Sequence, residues 1–214
     1  MSASTPITIV GAGLGGLTLA SILHASGVVT TVYEGDTSAT VRGQGGSLDI
    51  HEESGQRALR AAGLFDAFRA IVNAGGEHMR ILDKWATVRL DESGDGARPE
   101  VDRGALRDLL LASLPANTVR WGAKVTNVRS QRDGGHTITL NGSDTVATDL
   151  LVGADGAWSK VRPLVSAAIP VYAGLSFVEV HLHDAHRRHP DSAALVGWGS
   201  CSRSPTKREL LGTA

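Results

Sequence analysis

Residues 7–34, ITIVGAGLGGLTLASILHASGVVTTVYE, decide the fold, because they spell a strand, a glycine turn, a helix, a second strand and a terminal acid in that order. Gly11, Gly13 and Gly16 stand at the spacing G-x-G-x-x-G, directly after the apolar run Ile7–Val10 and before a helical stretch from Leu17 to Ala25. Each glycine answers a separate demand: Gly11 a tight turn, Gly13 close approach of a pyrophosphate to backbone, Gly16 close packing of helix on strand. Leu14 and Gly15 complete the loop, and the helix N-terminus offers its first N–H groups and a positive dipole end to phosphates. Glu34 closes the β-rich run Val28–Tyr33, the position from which an acid accepts hydrogen bonds from ribose hydroxyls. The order of the pieces points to a dinucleotide site; a glycine-rich loop that holds no ligand is the competing reading.

No Asp, Glu, Lys or Arg occurs between Met1 and Tyr33, so this stretch could be mistaken for a signal peptide or membrane anchor. The missing basic n-region, the central glycines and the β-branched residues at both ends argue instead for buried parallel strands. The expectation is a cytoplasmic protein without a membrane segment. At 214 residues and 42% hydrophobic content, the chain can build one large domain, or one domain and part of another. A net charge of −1 with interspersed signs gives no electrostatic reason to bind nucleic acid or an anionic membrane. The lone Cys201 excludes an internal disulfide and a Cys-cluster metal site, and 4% aromatic content is poor for stacking single-stranded nucleic acid. A small molecule is the expected partner; oligomeric state is not legible.

Further along, the loop 37–51, TSATVRGQGGSLDIH, has glycines at 43, 45 and 46 that permit turns or backbone approach to a ligand. Ser54–Val72 carries an apolar helical stripe broken at Gly63, and Met79–Leu90 alternates as strands do. Asp102 is a good N-cap for a helix from Arg103 to about Ser113, with Leu106, Leu109 and Leu110 inward and Pro115 ending it. From Val119 onward, short β runs separated by Asp133-Gly134-Gly135 and Asn141-Gly142 predict an antiparallel meander. It ends in a buried-type strand, Leu150–Val152, delivering Gly153-Ala154-Asp155-Gly156 to a turn. Trp158–Val165 is expected to start a helix, and Gly174–His183 and Ala193–Trp198 to be strands of a second sheet. Of the histidines in VHLHDAHRRH, His181 and His183 would share a strand face, but without a cysteine or clear acid partner they read as polar surface, and no metal site is expected.

Three stretches then carry a resemblance: GAGLGG at 11–16 with Glu34, EVDRGALRDLL around Arg103, and GADGAWSKVR at 153–162. Together they resemble the FAD-dependent monooxygenases of the aromatic-hydroxylase class. A fourth, RGQGGSLDIHEESGQRALRAAGL at 42–64, is similar to the subgroup containing the tetracycline-inactivating monooxygenases. The resemblance implies an α/β fold: a Rossmann-type FAD-binding domain with an inserted antiparallel β-meander over 1–170, then the beginning of a mixed-sheet substrate domain over 171–200. It implies that Gly11, Gly13 and Gly16 hold the FAD pyrophosphate and Glu34 the adenosine ribose. Arg103 would reach the cofactor from its helix start, while Asp155 and Gly156 would border the pyrophosphate and the nicotinamide approach. Arg42 and Gln44 would face the isoalloxazine or the substrate. Plainer readings stay open, since Arg103 could be a solvated first-turn arginine, Asp155-Gly156 a simple turn, and Arg42 a loop residue.

Members of this class reduce FAD with NAD(P)H, form a flavin C4a-hydroperoxide with molecular oxygen, and place one oxygen atom on a small organic substrate, aromatic or polycyclic. The cofactor does the hard chemistry, so no catalytic side chain is assigned. Full members also carry a second flavin motif of the Gly-Asp-Ala type, which is not found here: Asp184 follows His183, and Gly35-Asp36 comes too early. The resemblance therefore implies a C-terminally truncated member, or a natural short relative, with little activity of its own. The final segment 201–214, CSRSPTKRELLGTA, lacks strand alternation and is expected to be a frameshifted tail, since synonymous codons exist whose shifted frame encodes a strand, a turn and a strand. Two alternatives accompany this reading: a non-catalytic FAD- or dinucleotide-binding remnant, and an NAD-dependent dehydrogenase. The second lacks support, because neither Tyr33 nor Tyr172 is followed four residues later by Lys.

Overall fold

The computed structural model describes residues 5–41, 43, 45–132, 134–176, 180, 182–197 and 199–203. The opening unit forms as its sequence demands: β1 (Thr5–Val10), helix α1 (Leu14–Ala25) and β2 (Thr30–Tyr33). β3 (Ser47–Asp49) follows, then a π-helical turn Glu52–Gln56, α2 (Arg57–Ala61) and α3 (Phe65–Arg69), with the helical stripe broken at Gly63. After β4 (Met79–Leu82), β5 (Val88–Glu92) and β6 (Glu100–Asp102) comes α4 (Arg103–Ala112). Its N-cap is Asp102, whose side chain accepts from Ala105 N at 2.8 Å, satisfying one of the helix's orphan donors. The meander then runs through β7 (Val119–Arg120), β8 (Val125–Ser130), β9 (His136–Leu140) and β10 (Asp144–Gly153).

These strands make a six-stranded sheet in the order β7-β2-β1-β10-β9-β8. β1 pairs in parallel with both β2 and β10, Val10 lying opposite Tyr33 on one side and Gly153 on the other. β9 and β8 extend the sheet antiparallel beyond β10. Side-chain alternation along β1 sends Ile9 and Val10 to opposite faces. Ile9 joins Leu17, Ala20, Val32, Leu59, Phe68, Leu106 and Leu110, whereas Val10 joins Val125, Ile138, Leu140 and Val161. A sheet covered on both faces explains why Thr8, Ile9 and Val10 are all buried, rather than every second residue. A two-stranded ladder pairs β3 with β6, and Arg103 N continues it by donating to Gly46 O at 3.0 Å.

The last part departs from expectation. Ala193–Trp198 was read as a strand, but Pro190–Val196 is a helix, α6, preceded by the one-turn α5 (Ala185–Arg188). Proline at the first helical position, Asp191 in the first turn and the pair Ala193-Ala194 favour this choice, and four alternating residues are too few to oppose it. In the stretch Gly174–His183, no described residue is in a strand; residues 177–179 and 181 lie outside the description. Trp158–Val165 yields only a 3₁₀ turn at Arg162–Leu164, with Pro163 inside it. Ser200–Arg203, expected to be patternless, forms β11 parallel to β4, so the second sheet has the order β11-β4-β5. Gly199 makes that pairing possible, because a Cβ there would collide with His78 O. The rest of the expected tail, residues 204–214, lies outside the description, as do Arg42 and Gln44.

Candidate dinucleotide site

The carboxyl ends of β1, β2 and β10 meet at one edge of the large sheet, the place where open α/β sheets hold ligands. A cavity of about 690 Å³ opens there, within the range of small-molecule and cofactor sites. Gly11, Gly13, Leu14, Gly15, Glu34, Arg103, Asp155 and Gly156 all line it. Gly16 does not; it lies beneath, where a Cβ would collide with Gly11 O and press on Ala154 Cβ at 3.2 Å. Gly11 has φ +102° and would drive a Cβ into Ala154 O, so it is fixed by both turn geometry and contact. Gly13 differs from both: its backbone is extended, at φ −74° and ψ 175°, and a Cβ would meet nothing within 4 Å. The first two glycine-dependent positions thus serve the fold, and Gly13 keeps space clear.

Gly13 is also the N-cap of α1, and it brings no side chain to cap the helix. The first turn of α1 contains no acid, so its positive dipole end faces the cavity uncompensated from within. Arg103, Lys124 and Lys160 add three cations to the lining, against the two carboxylates of Glu34 and Asp155. Such a balance suits a diphosphate. Glu34 accepts from Ala12 N at 2.7 Å through one oxygen and from Asp36 N at 2.9 Å through the other. It locks the glycine loop to the end of β2, and an ionised carboxylate still has lone pairs for hydroxyl donors.

On the opposite wall, Asp155 Oδ2 accepts from Lys160 N at 2.6 Å, while Oδ1 is buried with no hydrogen-bond partner among the described residues. A buried carboxylate oxygen without a donor is costly, so this turn carries a strain that the rest of the fold offsets. The turn around it is braced internally: Ser159 Oγ accepts from Val161 N and Arg162 N, and Arg162 donates to the carbonyls of Gly156 and Ala157. The residues present therefore fit a dinucleotide such as FAD.

Several contributors were not legible in the sequence. Tyr33, Lys124, Val125, Trp158 and Lys160 also line the cavity. Desolvation raises the Tyr33 phenol above its ordinary pKa, with Arg120 opposing. Trp158, 75% exposed beside Gly156, could have been suspected as a large aromatic directly after a turn. Arg107 gave no signal: it is 2% exposed, its Nε donating to Ala12 O at 3.4 Å and its Nη1 to Ala39 O at 2.7 Å, with the guanidinium 5.4 Å from the Trp121 ring centroid. A second cavity, about 760 Å³, lies between α3 and the β4–β5 hairpin and is lined by Phe65, Phe68, Val72, His78 and Arg80. Among the described residues no group of three or more His, Cys, Asp or Glu could hold a metal, and no helix is long and apolar enough to cross a membrane.

Residues 4–198 match a family model described as an FAD binding domain. The monooxygenase asqM of Emericella nidulans is 37% identical over 211 residues, the match covering 91% of this chain and 48% of that protein. Klebsiella pneumoniae HpxO, solved in complex with FAD and uric acid, superposes with a TM-score of 0.62 at 25% identity, covering 74% of this chain and 41% of that one. The tetracycline destructase Tet(51) shares the fold, with a TM-score of 0.60 at 22% identity over 76% of this chain and 41% of that one. This chain spans 48% of the length of the curated monooxygenase it matches best in identity among these. A glycine loop, the Glu34 carboxylate and an Asp-Gly turn surround one cavity, and the family model that matches residues 4–198, with a monooxygenase relative 37% identical over 91% of the chain, establishes that the chain belongs to the FAD binding domain family of flavoprotein monooxygenases.

Proposed function

We propose that the chain binds FAD in the cavity at the ends of β1, β2 and β10 and belongs to a monooxygenase that uses NAD(P)H to hydroxylate a small organic substrate, aromatic or polycyclic. The observation that carries this reading is a single cavity at the strand ends whose lining joins an uncapped helix N-terminus at Gly13 to Glu34, Arg103 and Asp155. FAD, when bound, supplies the exchange of electrons between NAD(P)H and molecular oxygen and the transfer of one oxygen atom. The chain's own residues bind and orient. The amides at the start of α1 take the diphosphate, and Gly13 keeps the approach open. Glu34 accepts from ribose hydroxyls, Arg103 forks onto phosphate or flavin-side oxygens, and Asp155 borders the diphosphate. Gly156 leaves room for the nicotinamide, and Arg42 is assigned to the isoalloxazine side by resemblance. The reductant and the lone thiol of Cys201 fit a cytoplasmic setting.

Purified protein should carry yellow flavin, released by acid and identified as FAD. Colourless protein that takes up no added FAD would overturn the reading. NADPH-driven oxygen uptake in the FAD-loaded chain should exceed hydroxylated product, because oxygen chemistry in a water-exposed site is poorly protected. One product formed per oxygen consumed would contradict that second expectation.

A further inference from the structure

We propose that Arg107 is a positioning residue that aims the glycine loop at the cofactor; this rests on the proposed FAD site. A guanidinium at 2% exposure has lost nearly all its water, and among the described residues it forms no ion pair with a carboxylate. Its partners are the carbonyls of Ala12 and Ala39 and the face of Trp121. α4 could bury a leucine at this position at far lower cost, as it does at Leu106 and Leu110 on either side.

Its contacts show what the charge does. Ala12 lies between Gly11 and Gly13, and its peptide groups are held from both ends: Glu34 Oε2 accepts from Ala12 N, and Arg107 Nε donates to Ala12 O. In a trans peptide the C=O of one residue and the N–H of the next point in opposite directions. Pinning the Ala12 carbonyl toward the protein interior therefore turns the Gly13 N–H away from it, on the side where Gly13 lines the cavity. The same guanidinium reaches Ala39 O, in the loop after β2 that leads from Glu34 toward residue 42. One side chain thus ties together the two loops flanking the diphosphate position. Its unneutralised charge, in surroundings of low dielectric, also favours an anion in the adjoining cavity.

Arg107→Met removes the donors and the charge while keeping an unbranched apolar stem. Arg107→Lys keeps the charge but cannot reach both carbonyls with a planar fork. Leu110→Ala, one turn further along α4, opens the core cluster it shares with Ala12 while leaving the donors to Ala12 O and Ala39 O in place, and serves as the stability control. In cofactor-free protein, hydrogen exchange at the Ala12 amide, which Glu34 protects, should quicken at least tenfold in Arg107→Met and less in Arg107→Lys. FAD affinity should fall about 10- to 100-fold in Arg107→Met, with partial recovery in Arg107→Lys. Leu110→Ala should lower the melting temperature and leave FAD affinity within about twofold.

Unchanged loop exchange in either Arg107 variant overturns the proposal, as does an equal loss of FAD affinity in Leu110→Ala. If the wild type takes up no FAD, the proposed function fails, and the exchange measurement still decides the role of Arg107. Should Arg107→Met not fold, Arg107→Lys carries the same two readouts.

Discussion

The glycine loop and the segment after the 3₁₀ turn solve opposite problems. Around Gly11–Gly16 the backbone is tied at every level: Gly11 N to Tyr33 O, Ala12 to Glu34 and Arg107, and Ala154 N to Val10 O. Between 165 and 182, by contrast, Val165, Ile169, Val171, Tyr172, Leu175 and Val180 are each 72–86% exposed. The apolar side chains of the first region find partners within the chain, whereas the described residues of the second present theirs to water. Apolar surface on this scale is rare on an isolated soluble domain, because each such side chain forgoes about 1.5–3 kcal/mol of burial.

The sharpest test of the contrast lies inside the first region. Gly13→Val should abolish detectable FAD binding by filling open space, yet leave the melting temperature within a few degrees. Gly16→Val should lower stability by about 3 kcal/mol or more, because its side chain has only the Gly11 carbonyl to occupy. Thermal melts beside flavin content would separate the two, and equal flavin in Gly13→Val would break the assignment of Gly13.

Replacing Glu34 with Ala should weaken FAD binding by about 1–3 kcal/mol, the scale of a hydrogen bond to a charged group. Titration of the cofactor-free protein with FAD measures it, and unchanged affinity would move the ribose contact elsewhere. In the second region, the pair Val171→Ser and Leu175→Ser should reduce dye binding to exposed apolar surface and slow aggregation, with stability changed by no more than about 0.5 kcal/mol. A large loss of stability would mean these side chains are packed in solution, which would erase the contrast.

The smallest effect concerns the second sheet. Desolvation pushes the Asp91 carboxyl up, but Arg80 and His78 outweigh it and hold its pKa below the ordinary carboxylate value. A depressed folded pKa makes the contribution fully present above the unfolded value of about 4 and lost as pH falls through the folded one. Arg80 also donates to Ala194 O and Leu195 O, so this acid loss should loosen α6. Urea midpoints should decline less below pH 4 in Asp91→Asn than in the wild type, and parallel curves would remove Asp91 from that transition.

What could be read in advance follows from which interactions are local. A G-x-G-x-x-G turn, the Asp102 cap and the Asn141-Gly142 hairpin turn are backbone demands met by neighbouring residues, so their sequence carries them. Of the eleven residues expected around the cofactor, eight line one cavity, Gly16 lies beneath it, and Arg42 and Gln44 lie outside the described residues. Arg107 was invisible because periodicity treats arginine as surface, and its carbonyl partners lie 95 and 68 residues away. Lys124 and Lys160 reach the cavity through strand pairing and turn closure, which no local pattern reports. The helix at Pro190–Val196 and the parallel partner of β4 were missed for a related reason: the choice between strand and helix in a short stretch is made by tertiary neighbours.

The pairing of Val10 with Gly153 has a kinetic side. One wall of the cavity is made within the first 34 residues and the other only after the whole meander has emerged. At about 5–20 residues per second of synthesis, the glycine loop waits about 6–24 s for β10. Closing so long a loop costs entropy before any contact rewards it, as it does again where β2 meets β7 and β4 meets β11. During that interval a nascent chain displays the βαβ opening with its sheet edge at β1 unpaired, an edge that another chain could pair with. Refolding of the full chain should therefore be limited by docking of the meander onto β1, and FAD capture should follow that step rather than guide the formation of the glycine turn.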